Sequence, residues 1–123
     1  MRRFNLAQLS VEQLIVRFVE IGLAQDRALF IDDVGQYNRL FDEMEGVREE
    51  LKKRQGDQRR SLAELFDHPN AQVRLKAAIS TLRIVPQSSR EVLQAISDRD
   101  EYPQAADARG ILRSLDDGSF VPQ

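Results

Sequence analysis

The side chains best suited to chemistry lie around the only histidine of the chain. His68 follows Asp67, and Ser61 lies a short distance upstream. A histidine, a carboxylate and a hydroxyl are the groups of a nucleophilic triad. No Gly-x-Ser-x-Gly elbow or glycine-rich phosphate loop accompanies them, and the chain contains no cysteine. We therefore expect no enzymatic activity, no metal site built on cysteine or on two histidines, and no cofactor.

A basic segment between residues 52 and 60 offers a different chemistry. Its five cations, against one acid, are Lys52, Lys53, Arg54, Arg59 and Arg60. Contacts to phosphate require only well-placed cations, so the segment predicts, as the alternative function, a site for nucleic acid or another anionic ligand. No aromatic residue interleaves the segment, and the chain has no tryptophan to stack on a base. Nucleic acid is for that reason not the expected partner.

A polar stripe on the predicted fourth helix is the candidate site for a protein partner. Its members recur at intervals of four, four and three residues, and they are Gln72, Lys76, Ser80 and Arg83. In helical solenoids the second helix of each pair often lines the binding surface. The alternative interpretation of the stripe is an ordinary solvated helix face.

Composition narrows the class of protein. The 123 residues include 18 basic and 20 acidic side chains, which gives a net charge of −2 and no basic excess. This length predicts a single domain over residues 1–123. The longest apolar stretches, such as 28–31, fall far short of the ~20 residues of a membrane span, and Asn5, Gln8 and Ser10 interrupt the apolar run of a signal peptide. We expect a cytoplasmic protein that does not bind membranes.

The elements that position these residues are predicted to be helices. Apolar residues recur at helical spacing, and no segment shows the alternation of a strand. The pattern predicts an all-α fold of six helices in three pairs, at about 10–55, 57–85 and 88–117. Each pair leaves one face uncovered, so neighbouring pairs must stack, which favours a short α-solenoid.

Local signals set the predicted helix ends. Ser10-x-x-Gln13 and Ser88-x-x-Glu91 have the spacing of capping boxes, and Asn70 is well suited to cap the fourth helix. Gly118 is expected to end the last helix, and the apolar residues of the tail after it are expected to fold back on the core. Pro86 is expected to stop the fourth helix, because the residue before a proline disfavours helical geometry. The predicted core stripe of the second helix consists of Val34, Tyr37, Phe41, Met44 and Leu51.

The first helix is apolar on more than one side. The residues that give it this character are Leu14, Ile15, Val16, Phe18 and Val19. Because a short solenoid exposes apolar faces at its ends unless they are capped, a homodimer is an open alternative to a monomer.

Resemblances to a known repeat and to a known family make the predicted fold more specific. The stretch 62–78, with its leucines, His68-Pro69-Asn70, Val73-Arg74 and paired alanines, resembles a HEAT repeat. In such a repeat Arg74 is similar to the arginine that pairs between neighbouring repeats. Most of residues 11–122 resembles the small bacterial family of domains of unknown function numbered twenty-nineteen. The segments that carry this resemblance are 17–18, 24–25, 37–42, 68–78 and 117–122. The family implies an all-helical, HEAT-like or armadillo-like fold and brings no activity, cofactor or site.

Overall fold

The computed structural model describes residues 5–123, and these form an all-helical protein without a strand. Residues 1–4, where the segment considered as a signal peptide begins, lie outside that range. The α-helices are α1 (Val11–Phe30), α2 (Val34–Lys53), α3 (Ala71–Ser80), α4 (Pro86–Asp98) and α5 (Gln104–Asp117). Two 3₁₀ helices, Leu6–Gln8 and Gln58–Asp67, complete the described part. Six principal helices are thus confirmed, and the third of them is a 3₁₀ helix.

The chain divides into two compact units, one ending at Ser61 and the other covering Leu62–Gln123. In the first unit α1 and α2 form a helical hairpin. Ser10 begins α1 with the predicted capping box: its hydroxyl accepts from the Gln13 amide, and the Gln13 side chain accepts from the Ser10 amide. Asp33 caps α2 by accepting from the Gln36 amide.

The buried face of this hairpin follows helical periodicity. On α1 it consists of Leu14, Ile15, Phe18, Ile21, Gly22, Gln25 and Ala28, and on α2 of Leu40, Met44, Val47, Glu50 and Leu51. The predicted α2 stripe is therefore wrong at its first half, because Val34 is 64% exposed and Phe41 is 44% exposed. The helix turns Leu40 inward in place of its neighbour Phe41, and Val47 is buried between the predicted residues Met44 and Leu51.

The second unit packs α3, α4 and α5 around one apolar cluster. Its buried members are Leu75, Ala78, Leu82, Leu93, Ile96 and Ala108. Phe120, from the segment after α5, packs against this cluster, which confirms that the carboxyl-terminal tail folds back. Asn70 caps α3 as predicted, because its side chain accepts from the amides of Gln72 and Val73.

The boundary between α3 and α4 differs from the prediction. Helix α3 ends at Ser80, and Pro86 does not stop a helix but occupies the first turn of α4. That position suits proline, whose missing amide hydrogen would have no partner there. Because α4 begins before Ser88, the predicted capping box at Ser88 and Glu91 does not form; Val85 precedes the helix without a side-chain cap.

Three aspartates in the connections between helices have a left-handed backbone. Their φ angles are +58° at Asp32, +52° at Asp57 and +53° at Asp100. Aspartate tolerates this region better than most residues with a Cβ atom, because its short side chain bonds locally. Gly118, with φ +79°, ends α5 as predicted.

Candidate functional site

The predicted partner-binding stripe is only partly at the surface. Gln72 is fully buried and Ser80 is 8% exposed, whereas Arg83 is exposed and Lys76 is half-buried. The Gln72 side-chain carbonyl accepts a hydrogen bond of 2.9 Å from Nε2 of Gln104, which is buried at the start of α5. The expectation of a continuous exposed stripe is thus corrected, since two of its four members belong to the interior. A partner contact through Lys76 and Arg83 stays a prediction.

The basic segment is largely engaged within its own unit. Arg54 donates to the Glu50 carboxylate at 2.6 Å and to the carbonyl oxygens of Leu6 and Leu9. The bond from Arg54 to the Glu50 carboxylate lowers the pKa of Glu50 below its usual range, although the burial of Glu50 opposes the shift. Lys53 lies 3.3 Å from the same carboxylate. Arg54 therefore anchors the segment before α1 to the end of α2.

Arg59 has an internal partner of its own. Its side chain is 3% exposed, and it donates to both carboxylate oxygens of Asp57, at 2.9 and 2.7 Å. The hydrogen bonds lower the pKa of the Asp57 carboxyl below its usual range. Three of the five predicted anion-binding cations thus pair with carboxylates of the same unit, Lys53 and Arg54 with Glu50 and Arg59 with Asp57. Lys52 and Arg60 make no ion pair within residues 5–123.

Arg74, whose expected role rested on the resemblance to a HEAT repeat, makes an ion pair with Glu101. Its guanidinium donates to both oxygens of Glu101, each at 2.8 Å, and to the carbonyl oxygen of His68 at 2.7 Å. The bond to Arg74 lowers the pKa of Glu101 and raises that of Arg74. Arg74 thereby joins the turn before α3 to the connection between α4 and α5.

The candidates for acid–base chemistry are engaged in local structure. His68 accepts a hydrogen bond from the Asn70 amide through Nδ1, and the Ser61 hydroxyl bonds to the Gln58 side chain. Within residues 5–123, no three His, Asp or Glu side chains lie close enough together to hold a metal ion. A groove of about 650 Å³ beside His68 is lined by apolar residues such as Phe66 and Val92 and by charged residues such as Glu91 and Arg99, so its wall has mixed polarity.

An exposed apolar surface on the first unit was missed by the sequence analysis. At the turn between α1 and α2, Phe30 is 91% exposed, Ile31 59% and Val34 64%. We call these three residues the apolar turn. The available signal was positional, because Phe30 lies about 200° around the helix from Ala28, the last buried residue of α1. Contiguous exposed apolar residues can mark a site of interaction with other molecules, so the apolar turn is a candidate binding surface.

In the described part of the chain, none of the helices combines the length and the apolar composition needed to cross a bilayer.

The chain is similar to a protein of known structure. The relevant crystal structure is that of the protein RPA1889 from Rhodopseudomonas palustris CGA009. The two sequences are 43% identical, the match covers 98% of this chain and 100% of that chain, and the TM-score is 0.95. A comparison with curated proteins gives no match. Residues 12–116 match the family model described as domain of unknown function DUF2019. Since this match spans most of the sequence, the chain belongs to the DUF2019 family.

Proposed function

We propose that this protein is a non-catalytic, cytoplasmic protein–protein interaction module, a single domain built from HEAT-like helix pairs. The observation that carries the proposal is the apolar turn, where Phe30 exposes 91% of its surface beside two further exposed aliphatic residues. Exposing such a side chain to water is unfavourable, and burial against a partner recovers the hydrophobic free energy. The cysteine-free composition supports the cytoplasmic location.

Three local contacts support the HEAT-like and non-catalytic parts of the proposal. The Pro69–Asn70 turn leads into α3 with Asn70 as its cap, and Arg74 links that turn to Glu101. His68, the only imidazole available for acid–base chemistry, accepts from a backbone amide in the same turn. Asn70, Arg74 and His68 thus all make structural contacts within the second unit, which supports a function other than catalysis.

The experiment that tests the proposal compares proteins retained from a nuclease-treated bacterial lysate. The test variant is Phe30→Ser combined with Ile31→Ser, and the matched control is Val121→Ser, a residue that is 63% exposed outside the apolar turn. We expect the wild type and the control to retain the same partner and the double variant to lose it. Identical retention by all three proteins would show that the apolar turn is not the binding surface.

A further inference from the structure

We propose that the partner of the outer face of α1 is a second copy of the same chain, packed antiparallel across a two-fold axis beside Leu23. This inference rests on the proposed function, and it names the occupant of the surface to which Phe30 belongs. The outer face consists of Gln13, Val16, Glu20, Leu23, Arg27 and Phe30, which recur at intervals of three and four residues and are all exposed.

The apolar members of the outer face are placed symmetrically. Val16 is 58% exposed, Leu23 44% and Phe30 91%. Val16 and Phe30 both lie seven residues from Leu23, which is about 10.5 Å along a helix axis. An antiparallel copy centred on Leu23 therefore places each Val16 opposite the other chain's Phe30 and the two Leu23 side chains together.

The charged members are complementary under the same symmetry. Glu20 lies three residues before Leu23, and Arg27 lies four residues after it. The two-fold axis thus brings Glu20 to within about 1.5 Å, along the axis, of the level of Arg27 in the second copy. Arg27 has no ion pair within residues 5–123, and the Glu20 side chain is 61% exposed, with a 3.7 Å contact to Arg17. A parallel arrangement would instead place each of these charges beside its own counterpart.

A shallow groove on the same face fits the exposed phenylalanine. It has a volume of about 290 Å³, and its lining residues are Leu9, Glu12, Gln13, Val16, Arg17 and Glu20. The two-fold axis places Phe30 of the second copy opposite Val16, which is one wall of this groove. Each chain would then supply one aromatic side chain and receive one, as in a closed isologous interface.

The direction of packing can be tested with cysteines, because the chain has none of its own. Leu23→Cys is expected to form a disulfide-linked dimer under mild oxidation. Val16→Cys and Phe30→Cys are expected to cross-link to each other when mixed, and neither to itself. Self-linkage at all three positions would indicate parallel packing and overturn the proposed geometry, as would the absence of linkage at Leu23.

Charge reversal tests the pairing between Glu20 and Arg27. Sedimentation at about 10 and about 200 μM protein should show a concentration-dependent dimer for the wild type. Glu20→Arg and Arg27→Glu should each weaken dimerisation about tenfold, because like charges then meet twice across the axis. The double variant should restore dimerisation, with unchanged helicity in all three proteins. A monomeric wild type would overturn the self-association while leaving the protein-binding function to be decided by the lysate experiment.

Discussion

At the scale of single residues, Arg74 makes contacts that depend on the forked shape of its guanidinium group. Replacing it with lysine keeps the charge but removes the two-pronged bond to Glu101 and the bond to the His68 carbonyl oxygen. We expect Arg74→Lys to lower the free energy of unfolding by about 1–3 kcal/mol, measured by urea denaturation. Arg83→Lys is the matched control, since Arg83 is exposed and has no ion pair within residues 5–123. Equal losses in the two variants would contradict a structural role for Arg74.

The same ion pair predicts how stability depends on pH. The bond to Arg74 lowers the pKa of Glu101 in the folded protein. The ion pair therefore makes its full contribution to the free energy of unfolding above the unfolded-state pKa of about 4.3. The contribution is lost as the pH falls from there through the folded-state pKa. We expect Glu101→Gln to reduce the difference in unfolding free energy between about pH 6 and about pH 3. An unchanged difference would show that the bond does not persist in solution.

At the scale of elements, the start of α1 depends on a capping box that the sequence alone predicts. Ser10→Ala removes the acceptor for the Gln13 amide, and we expect a loss of about 1 kcal/mol in the free energy of unfolding. Ser10→Thr retains a hydroxyl and serves as the control, with a smaller loss. Thermal and urea unfolding followed by circular dichroism measure both variants. If alanine and threonine behave alike, the cap does not contribute to stability.

The cap of α1 was predicted correctly and the boundary between α3 and α4 was not, because only the cap depends on neighbouring residues alone. A cap such as Ser10 or Asn70 is decided by a few neighbouring residues, and both caps were predicted from sequence. Pro86 is compatible both with stopping one helix and with starting the next, and local sequence does not choose between these roles. In α2, Leu40 and Phe41 are adjacent apolar residues, and only packing determines which of them faces inward.

At the scale of the whole molecule, the charge distribution predicts little affinity for polyanions. The net charge is −2, and Arg54 and Arg59 are engaged with Glu50 and Asp57. We expect no binding of a labelled single-stranded oligonucleotide at about 0.15 M salt in a fluorescence anisotropy titration. Binding that is tight at this salt concentration and is lost in Lys52→Gln combined with Arg60→Gln would reinstate the basic segment as the functional site.

The candidate site was harder to predict than the helices for a related reason. Spacing alone identifies Gln72 and Ser80 as members of one helix face, but it does not reveal whether that face meets water or other side chains. The hydrogen bond between Gln72 and Gln104 joins residues far apart in the sequence, and no local sequence pattern predicts it. Conversely, Phe30 has the residue type of a core position, and packing decides whether a residue off the buried stripe of α1 meets water.

The left-handed aspartates have a consequence for protein engineering. Asp57 forms an ion pair with Arg59, and Asp100 forms one with Arg109. Replacing either aspartate with glycine would relieve the left-handed backbone but would also remove an ion pair. Asp32 is exposed and has no such ion pair within residues 5–123. Glycine adopts its positive φ without the steric cost of a Cβ atom. Asp32→Gly, in the turn between α1 and α2, is therefore the substitution expected to relieve the left-handed backbone without the loss of an ion pair.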